Sequence, residues 1–234
     1  MSKKDTIESL LTPAVRTTFR NNYSGVELIA TEDDVEVSGI PKEDIIRARL
    51  DLNIYFHNPK LPLENICNRL DTYRPRNKSQ KQLLNWANKL LALETTTSAG
   101  LFAHGSPGTG KTHISVALAK EFLLKGQEVH YISPESYGNI SLRPCQVWIV
   151  DDLNSPYSPF MDLFKKIVMN THNSGGLIFA TSNAPYEPLI KKSFIGTDAD
   201  ARRLRYTDRT KTLFKELKLL GRSNRAKTAW HAQD

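Results

Sequence analysis

Cysteine is nearly absent from the 234 residues: Cys67 and Cys145 stand far apart without C-x-x-C spacing. That excludes a disulfide framework and a cysteine-built metal cluster, and it points to idle or buried thiols in a reducing compartment. No run approaches the roughly 20 consecutive apolar residues of a membrane span. The N-terminal MSKKDTIESLL lacks the apolar core of a secretory signal. The expectation is a cytoplasmic protein with no membrane partner.

Aromatic residues are sparse where basic residues concentrate. Only Tyr206, Phe214 and Trp230 lie in or beside that stretch, and Phe214, spaced with Leu213, Leu217 and Leu220, reads as core before it reads as a base-stacking surface. The basicity itself is local. Net charge is +7, yet residues 202–227 hold ten Lys or Arg against Asp208 and Glu216, a stretch of +8 in a chain otherwise at −1. Such a patch is the electrostatic footprint of a nucleic-acid contact, although a solvated lysine-rich face has the same composition. The opposite sign collects near the N-terminus, where seven acidic residues fall between Glu27 and Asp44 with Lys42 as the only base. That face either docks a basic partner or is simply solvated.

Residues 105–112, GSPGTGKT, satisfy every fixed position of the phosphate-binding pattern G-x-x-x-x-G-K-[ST]. Gly105, Gly108 and Gly110 permit backbone conformations that aim successive N–H groups inward at a polyphosphate, and Ser106, Pro107 and Thr109 complete the loop. Lys111 supplies a cation for the β- and γ-phosphates. The Thr112 hydroxyl is placed to ligate Mg²⁺ at a helix N-terminus whose dipole also favours the anion. His113 closes the nucleotide-binding run and reads as structural. By average residue usage the pattern arises by chance in roughly one chain in a hundred of this length. Here it follows an apolar run, GLFAH, and precedes Ile114, Ala117, Leu118, Phe122 and Leu123 at helical spacing, closed by Gly126.

Elsewhere, residues 1–22 suggest one or two short helices, with Thr12-Pro13 as N-cap and first helical position. VELIA and VEVSGI suggest short strands, KEDIIRARLDLNIYF a helix, and NPKLPLEN a break. Ser79 with Gln82 has the form of a capping box leading into a helix through Leu91. EVHYI and QVWIV read as strands. The latter ends in Asp151-Asp152, the arrangement in which the first carboxylate holds Mg²⁺ through water and the second polarises an attacking water. Residues 158–172 read as a helix and GLIFAT as a strand delivering Ser182 and Asn183. Asn183 there either orients the lytic water or merely makes a turn.

Taken together, these stations resemble the AAA+ ATPases of the DnaC/IstB type, the bacterial helicase loaders and transposition helper ATPases. The likeness rests on YRPRNKSQKQLLNWA as lead-in segment, LFAHGSPGTGKTHISVALA, VWIVDDL, FATSN, ARRLR and GRSNR in that order, over residues 66–225. It implies ATP and Mg²⁺ as cofactors, a DNA partner, a replication or transposition protein as second partner, and homo-oligomers when ATP is bound. It also implies an arginine finger, carried onto Arg203 with Arg202 as alternative; the guanidinium stays charged and presents a planar fork to the γ-phosphate. One departure stands out. Only thirteen residues, SPESYGNISLRPC, separate the second strand from the Asp151 strand, where the family has at least one full helix. This moves the expected contact with single-stranded DNA onto residues 202–227.

The expected architecture is an α/β P-loop NTPase with a parallel sheet, no or minimal helical lid, and a small N-terminal α or α+β unit. Its expected parts are a partner-binding domain at 1–60, a linker and lead-in helix at 61–95, an ATPase domain at 96–227 and a tail at 228–234. The expected site comprises residues 105–113 for nucleotide, Thr112 and Asp151 for metal, and Asp152, Asn183 and Arg203 for catalysis. A nucleotide-dependent protein-interaction module with weak ATPase activity and no DNA binding is the competing expectation, and a small-molecule kinase a more distant one.

Overall fold

A computed structural model of the chain describes residues 3–57, 63–137, 141–144, 146–196 and 198–221. Cys145, Trp230 and all of GRSNR beyond Gly221 lie outside those residues, as do the last three of the ten bases in the basic stretch.

Helices α1 (Lys3–Leu10) and α2 (Pro13–Asn22) come first, and α2 starts as expected, Thr12 capping it by accepting from the Val15 N–H at 3.3 Å with Pro13 at its first position. Strands β1 (Glu27–Ala30) and β2 (Val35–Ser38) form an antiparallel hairpin. Its alternation sends Leu28, Ala30, Val35 and Val37 inward and Glu27 and Glu36 to solvent. After α3 (Lys42–His57) and the one-turn α4 (Leu63–Ile66), these elements share a core built on Val15, Phe19, Leu52 and Ile66.

Helix α5 (Lys78–Leu91) begins two positions earlier than the Ser79 box predicts. Asn77 is the cap, its side chain accepting from Gln80 N at 3.0 Å, while Ser79 Oγ donates to Asn77 Oδ1 and accepts from Leu220 N. The chain then alternates strand and helix: β3 (Ser98–Gly105), α6 (Lys111–Leu124), β4 (Val129–Ile132), β5 (Gln146–Val150), α7 (Pro159–Ser174) and β6 (Gly176–Ser182). Helices α8 (Tyr186–Lys192) and α9 (Ala199–Thr210) lead into β7 (Phe214–Leu219).

The sheet is wholly parallel, in the order β4-β5-β6-β3-β7. Both its faces are covered, as parallel strands require. Leu101, Ala103, Ile149 and Phe179 pack toward α5 and α6, whereas Phe102, Trp148, Val150 and Ile178 pack toward α7, α8 and α9. Strand β6 therefore separates the P-loop strand β3 from the acidic strand β5. That insertion puts three strand ends side by side: the P-loop after β3, Asn183 after β6, and Asp151-Asp152 after β5. The α/β P-loop architecture with a parallel sheet is thus as the sequence predicts. Between β4 and β5 the described residues contain turns and no helix, in keeping with the shortness of that segment.

The sequence reading does not find α8, α9 or β7, and β7 is the one that joins the sheet. Leu213, Leu217 and Leu220 have helical spacing, yet the chain runs parallel beside β3 with Leu217 and Leu219 buried and Lys215 and Lys218 exposed. Gly100 makes room: a Cβ there would meet the Phe214 ring at 2.5 Å.

Candidate nucleotide-binding site

Strand β3 ends at Gly105, and the loop turns through two further glycines before α6 begins. Gly110 has φ +91°, and a Cβ on it would meet Tyr73 Cε2 at 2.7 Å. Conformation and space both demand glycine. The loop is braced from inside and behind. Thr109, fully buried, donates from Oγ1 to Ser106 O at 2.8 Å, and its own carbonyl accepts from Gln80 Nε2 at 3.1 Å. Tyr73 and Gln80 both come from the lead-in segment, so the family-like YRPRNKSQ run acts as a backing plate for the loop. The run is visible in the sequence; its bracing role is not.

Lys111 is buried at the cradle's centre, donating from Nζ to Gly105 O at 2.7 Å, Ser106 O at 3.1 Å and Asn183 Oδ1 at 3.1 Å. The last contact joins two residues 72 apart in sequence and shows that the tip of β6 reaches the lysine's head group. Thr112 is half-buried on the first turn of α6, its hydroxyl without a hydrogen-bond partner among the described residues. His113 turns away from the loop. Its Nε2 lies 2.8 Å from Arg69 O and 3.3 Å from Thr72 Oγ1, with the ring 5.2 Å from that of Tyr73. Burial holds its pKa below the usual histidine value. The side chain is therefore a post between α6 and the lead-in segment, away from the phosphate cradle.

Asp151 is buried and receives three hydroxyls. Ser115 Oγ at 2.9 Å and Thr181 Oγ1 at 2.6 Å reach Oδ1, and Tyr131 OH at 2.9 Å reaches Oδ2. A carboxylate offers about four acceptor positions, so one direction is left. Burial and the neighbouring Asp151 charge push the Tyr131 hydroxyl pKa up, which keeps it a donor. None of the three hydroxyls stands out in the sequence, but each has a signal in register: Ser115 one helical turn after Lys111, Thr181 next to the strand tip, Tyr131 on the strand beside β5.

Asp152 is exposed and adopts the left-handed conformation, φ 63°. Its N–H donates to Thr181 Oγ1 at 2.9 Å and its carboxylate accepts from Asn154 Nδ2. Partial desolvation, then the Asp151 charge, raise its pKa above the usual carboxylate value.

Arg203 is not brought to this site. It lies on α9, on the sheet face opposite α6, with Nη2 3.1 Å from Asp200 Oδ1 and a buried Nε that has no hydrogen-bond partner among the described residues. Arg202 is exposed on the same helix and donates to Ile195 O at 2.8 Å.

The donor set fits a nucleoside triphosphate with Mg²⁺. The inward lysine, the glycine-shaped loop and the N-terminus of α6 suit a polyphosphate. A spare hydroxyl on Thr112 and one open direction on Asp151 suit a small cation that keeps most of its waters.

Strand order, P-loop and strand-end acids define an α/β P-loop NTPase fold. Among solved structures the chain is similar to DnaI, at 20% identity over 70% of this chain and 94% of that one, with a TM-score of 0.58. It is similar also to a candidate primosome component from Streptococcus pyogenes serotype M3, at 19% identity over 70% and 92% of the two chains, TM-score 0.52. A DnaC helicase loader matches at 22% identity over 65% and 97%, TM-score 0.49. At these identities the first two likenesses establish the fold alone. No protein-family model matches the chain, and no curated protein matches it by sequence.

Proposed function

We infer that the chain binds and hydrolyses ATP and uses that cycle as an assembly factor on DNA, in the manner of a helicase loader or transposition helper. The observation that carries the reading is the 3.1 Å contact between Lys111 Nζ and Asn183 Oδ1, one strand away from Asp151. A cation for phosphate, a polar group able to orient water and a metal-holding carboxylate stand at three adjacent strand ends.

In this reading residues 105–112 cradle the triphosphate, and Thr112 and Asp151 hold Mg²⁺, which supplies charge neutralisation when bound. Asp152 accepts the proton of the lytic water and Asn183 orients that water. Arg203, remote from its own chain's cradle and with an unsatisfied Nε, serves a neighbouring subunit, so the active form is a homo-oligomer. The exposed bases of α9 and β7, with the rest of residues 202–227, contact single-stranded DNA. Residues 1–60, with their acidic hairpin face, engage the protein partner. Among the described residues no helix is long and apolar enough to cross a membrane, and a cytoplasmic setting suits this reading.

One observation favours a second reading. Arg203 and Arg202 are both engaged on α9, away from the cradle, as suits a slow hydrolase that works mainly by binding ATP and a protein, without DNA.

Steady-state ATPase activity with and without single-stranded DNA, for wild type, Lys111→Ala and Arg203→Ala, separates the two. DNA-stimulated turnover lost in both variants supports the first reading, as does DNA binding that weakens steeply with salt. Turnover indifferent to DNA, with ATP still bound, refutes it. Mixing the two inactive variants and recovering turnover is the expected sign of an arginine acting between subunits.

A further inference from the structure

Asn154 follows the acidic pair by two residues and is exposed to solvent, so packing does not dictate its identity. Its amide nevertheless spans two strand ends. Nδ2 donates to the Asp152 carboxylate, while Oδ1 accepts from the Asn183 backbone N–H at 2.7 Å and faces Ser182 Oγ at 3.4 Å. Around it, the chain from 151 to 154 is stitched to the tip of β6: Asp152 N–H to Thr181 Oγ1 at 2.9 Å and Leu153 N–H to Thr181 O at 2.8 Å, with Leu153 fully buried beneath. Those bonds fix the backbone, left-handed at Asp152, and leave the Asp152 side chain free to rotate. Among the described residues only the Asn154 amide hydrogen-bonds it.

We propose that Asn154 is a positioning residue, which aims the Asp152 carboxylate by tying it to the backbone of Asn183. The proposal rests on the reading of Asp152 as the group that activates water. Both ends of the tie are needed: the donor end sets the carboxylate's rotamer, and the acceptor end registers it to the strand tip whose side chain contacts Lys111. A group in this place acts on turnover and not on nucleotide capture, because it touches neither the loop nor α6.

Two substitutions divide the ends. Asn154→Ala removes both. Asn154→Asp keeps an acceptor for the Asn183 N–H but replaces the donor facing Asp152 with a like charge. ATPase kcat is measured for each, together with affinity for a non-hydrolysable ATP analogue by fluorescence titration, and Asp152→Asn is assayed alongside. Expected are a fall in kcat of about tenfold or more in both Asn154 variants, the scale of one hydrogen bond to a charged group, and analogue affinity within about twofold of wild type. If Asn154 only laces the loop, Asn154→Asp retains the lacing and kcat stays near wild type, which overturns the proposal. Analogue affinity falling in step with kcat overturns it too, since that marks general damage to the site. Should Asp152→Asn retain wild-type turnover, the reading of Asp152 falls and the positioning role falls with it, a failure distinguishable from the other two.

Discussion

The lysine at position 120 should be far more costly to remove than a surface lysine. It lies in the middle of α6, buried, with Nζ 2.6 Å from Asp51 Oδ1 and 2.8 Å from Ile66 O. Asp51 has no solvent exposure, and its other oxygen accepts from Tyr23 OH at 2.7 Å and lies 3.4 Å from Arg69 Nη2. Burial pulls the lysine's pKa down and the Asp51 charge holds it up. Lys120→Met keeps the apolar stem and deletes the charge, stranding a buried carboxylate and a buried carbonyl. Breaking a buried pair from one side costs ~3–5 kcal/mol. Arg69, itself partly exposed, remains near enough to offset some of this, so the lower end, about 3 kcal/mol, is expected. For a chain of this length that corresponds to a melting point lower by roughly 6–12 °C. Urea denaturation of wild type, Lys120→Met, Asp51→Asn and the double variant gives the coupling directly. The double variant, with no stranded charge on either side, should recover much of the loss. A cost below about 1 kcal/mol for Lys120→Met would show that Asp51 is not buried against α6 in solution, and the docking of the N-terminal elements on that helix would have to be abandoned.

Gly110→Ala forces a Cβ toward Tyr73 at 2.7 Å in a left-handed backbone; a loss of about 1–3 kcal/mol and at least tenfold weaker analogue binding, roughly the same energy, are expected from melting curves and titration. Tyr131→Phe removes one of three donors to Asp151 and should cost about 1–3 kcal/mol, measured by the same melts. Acid should destabilise the chain before carboxylates titrate. Burial depresses the folded-state pKa of His113 and of His104, the latter despite Glu216 Oε1 at 3.3 Å. Both stay neutral when folded but take up a proton near pH 6.5 when unfolded, so their stabilisation is full above that pH and declines as pH falls toward the depressed values. Denaturation midpoints between pH 7.5 and 5 for wild type and His113→Gln test this, and an equally steep fall in the variant would remove His113 from the account.

How far the sequence could be read depended on whether the deciding interactions are local. The phosphate loop was legible because its constraints are short-range: φ at Gly110, a lysine at the first turn of a helix, an apolar strand before it. Thr12-Pro13 was legible for the same reason. Ser79 misled because Asn77 and Ser79 are both competent caps, and the choice turns on the Asn77 and Ser79 side chains meeting the Leu220 backbone, over 140 residues away. Strand β7 was hidden by a coincidence of spacing, and only the open edge of β3 decides that Leu217 and Leu219 share a face. Helix α9 carries few apolar residues, with Tyr206 and Thr210 its buried ones, so no periodic stripe announces it. The three hydroxyls on Asp151 come from three separate elements, and no local pattern could assemble them.

The N-terminal elements and the nucleotide site both fasten to α6, and this bears on how variants of either should be interpreted. Lys111 and Lys120 stand nine positions apart on α6, about 13 Å along the axis at the α-helical rise. The first meets the phosphate loop and Asn183; the second meets Asp51. Between them, His113 fastens the same helix to Arg69 and Thr72, and Arg69 returns to Asp51 and, by a short contact, to Tyr23. A uniform helix does not bend cheaply between such points. Any displacement of the first turn of α6 is therefore felt at the buried carboxylate, and any loosening of the Asp51 network changes the footing of Lys111. Variants of the N-terminal elements should accordingly be assayed for nucleotide affinity before a change in turnover is attributed to a lost partner.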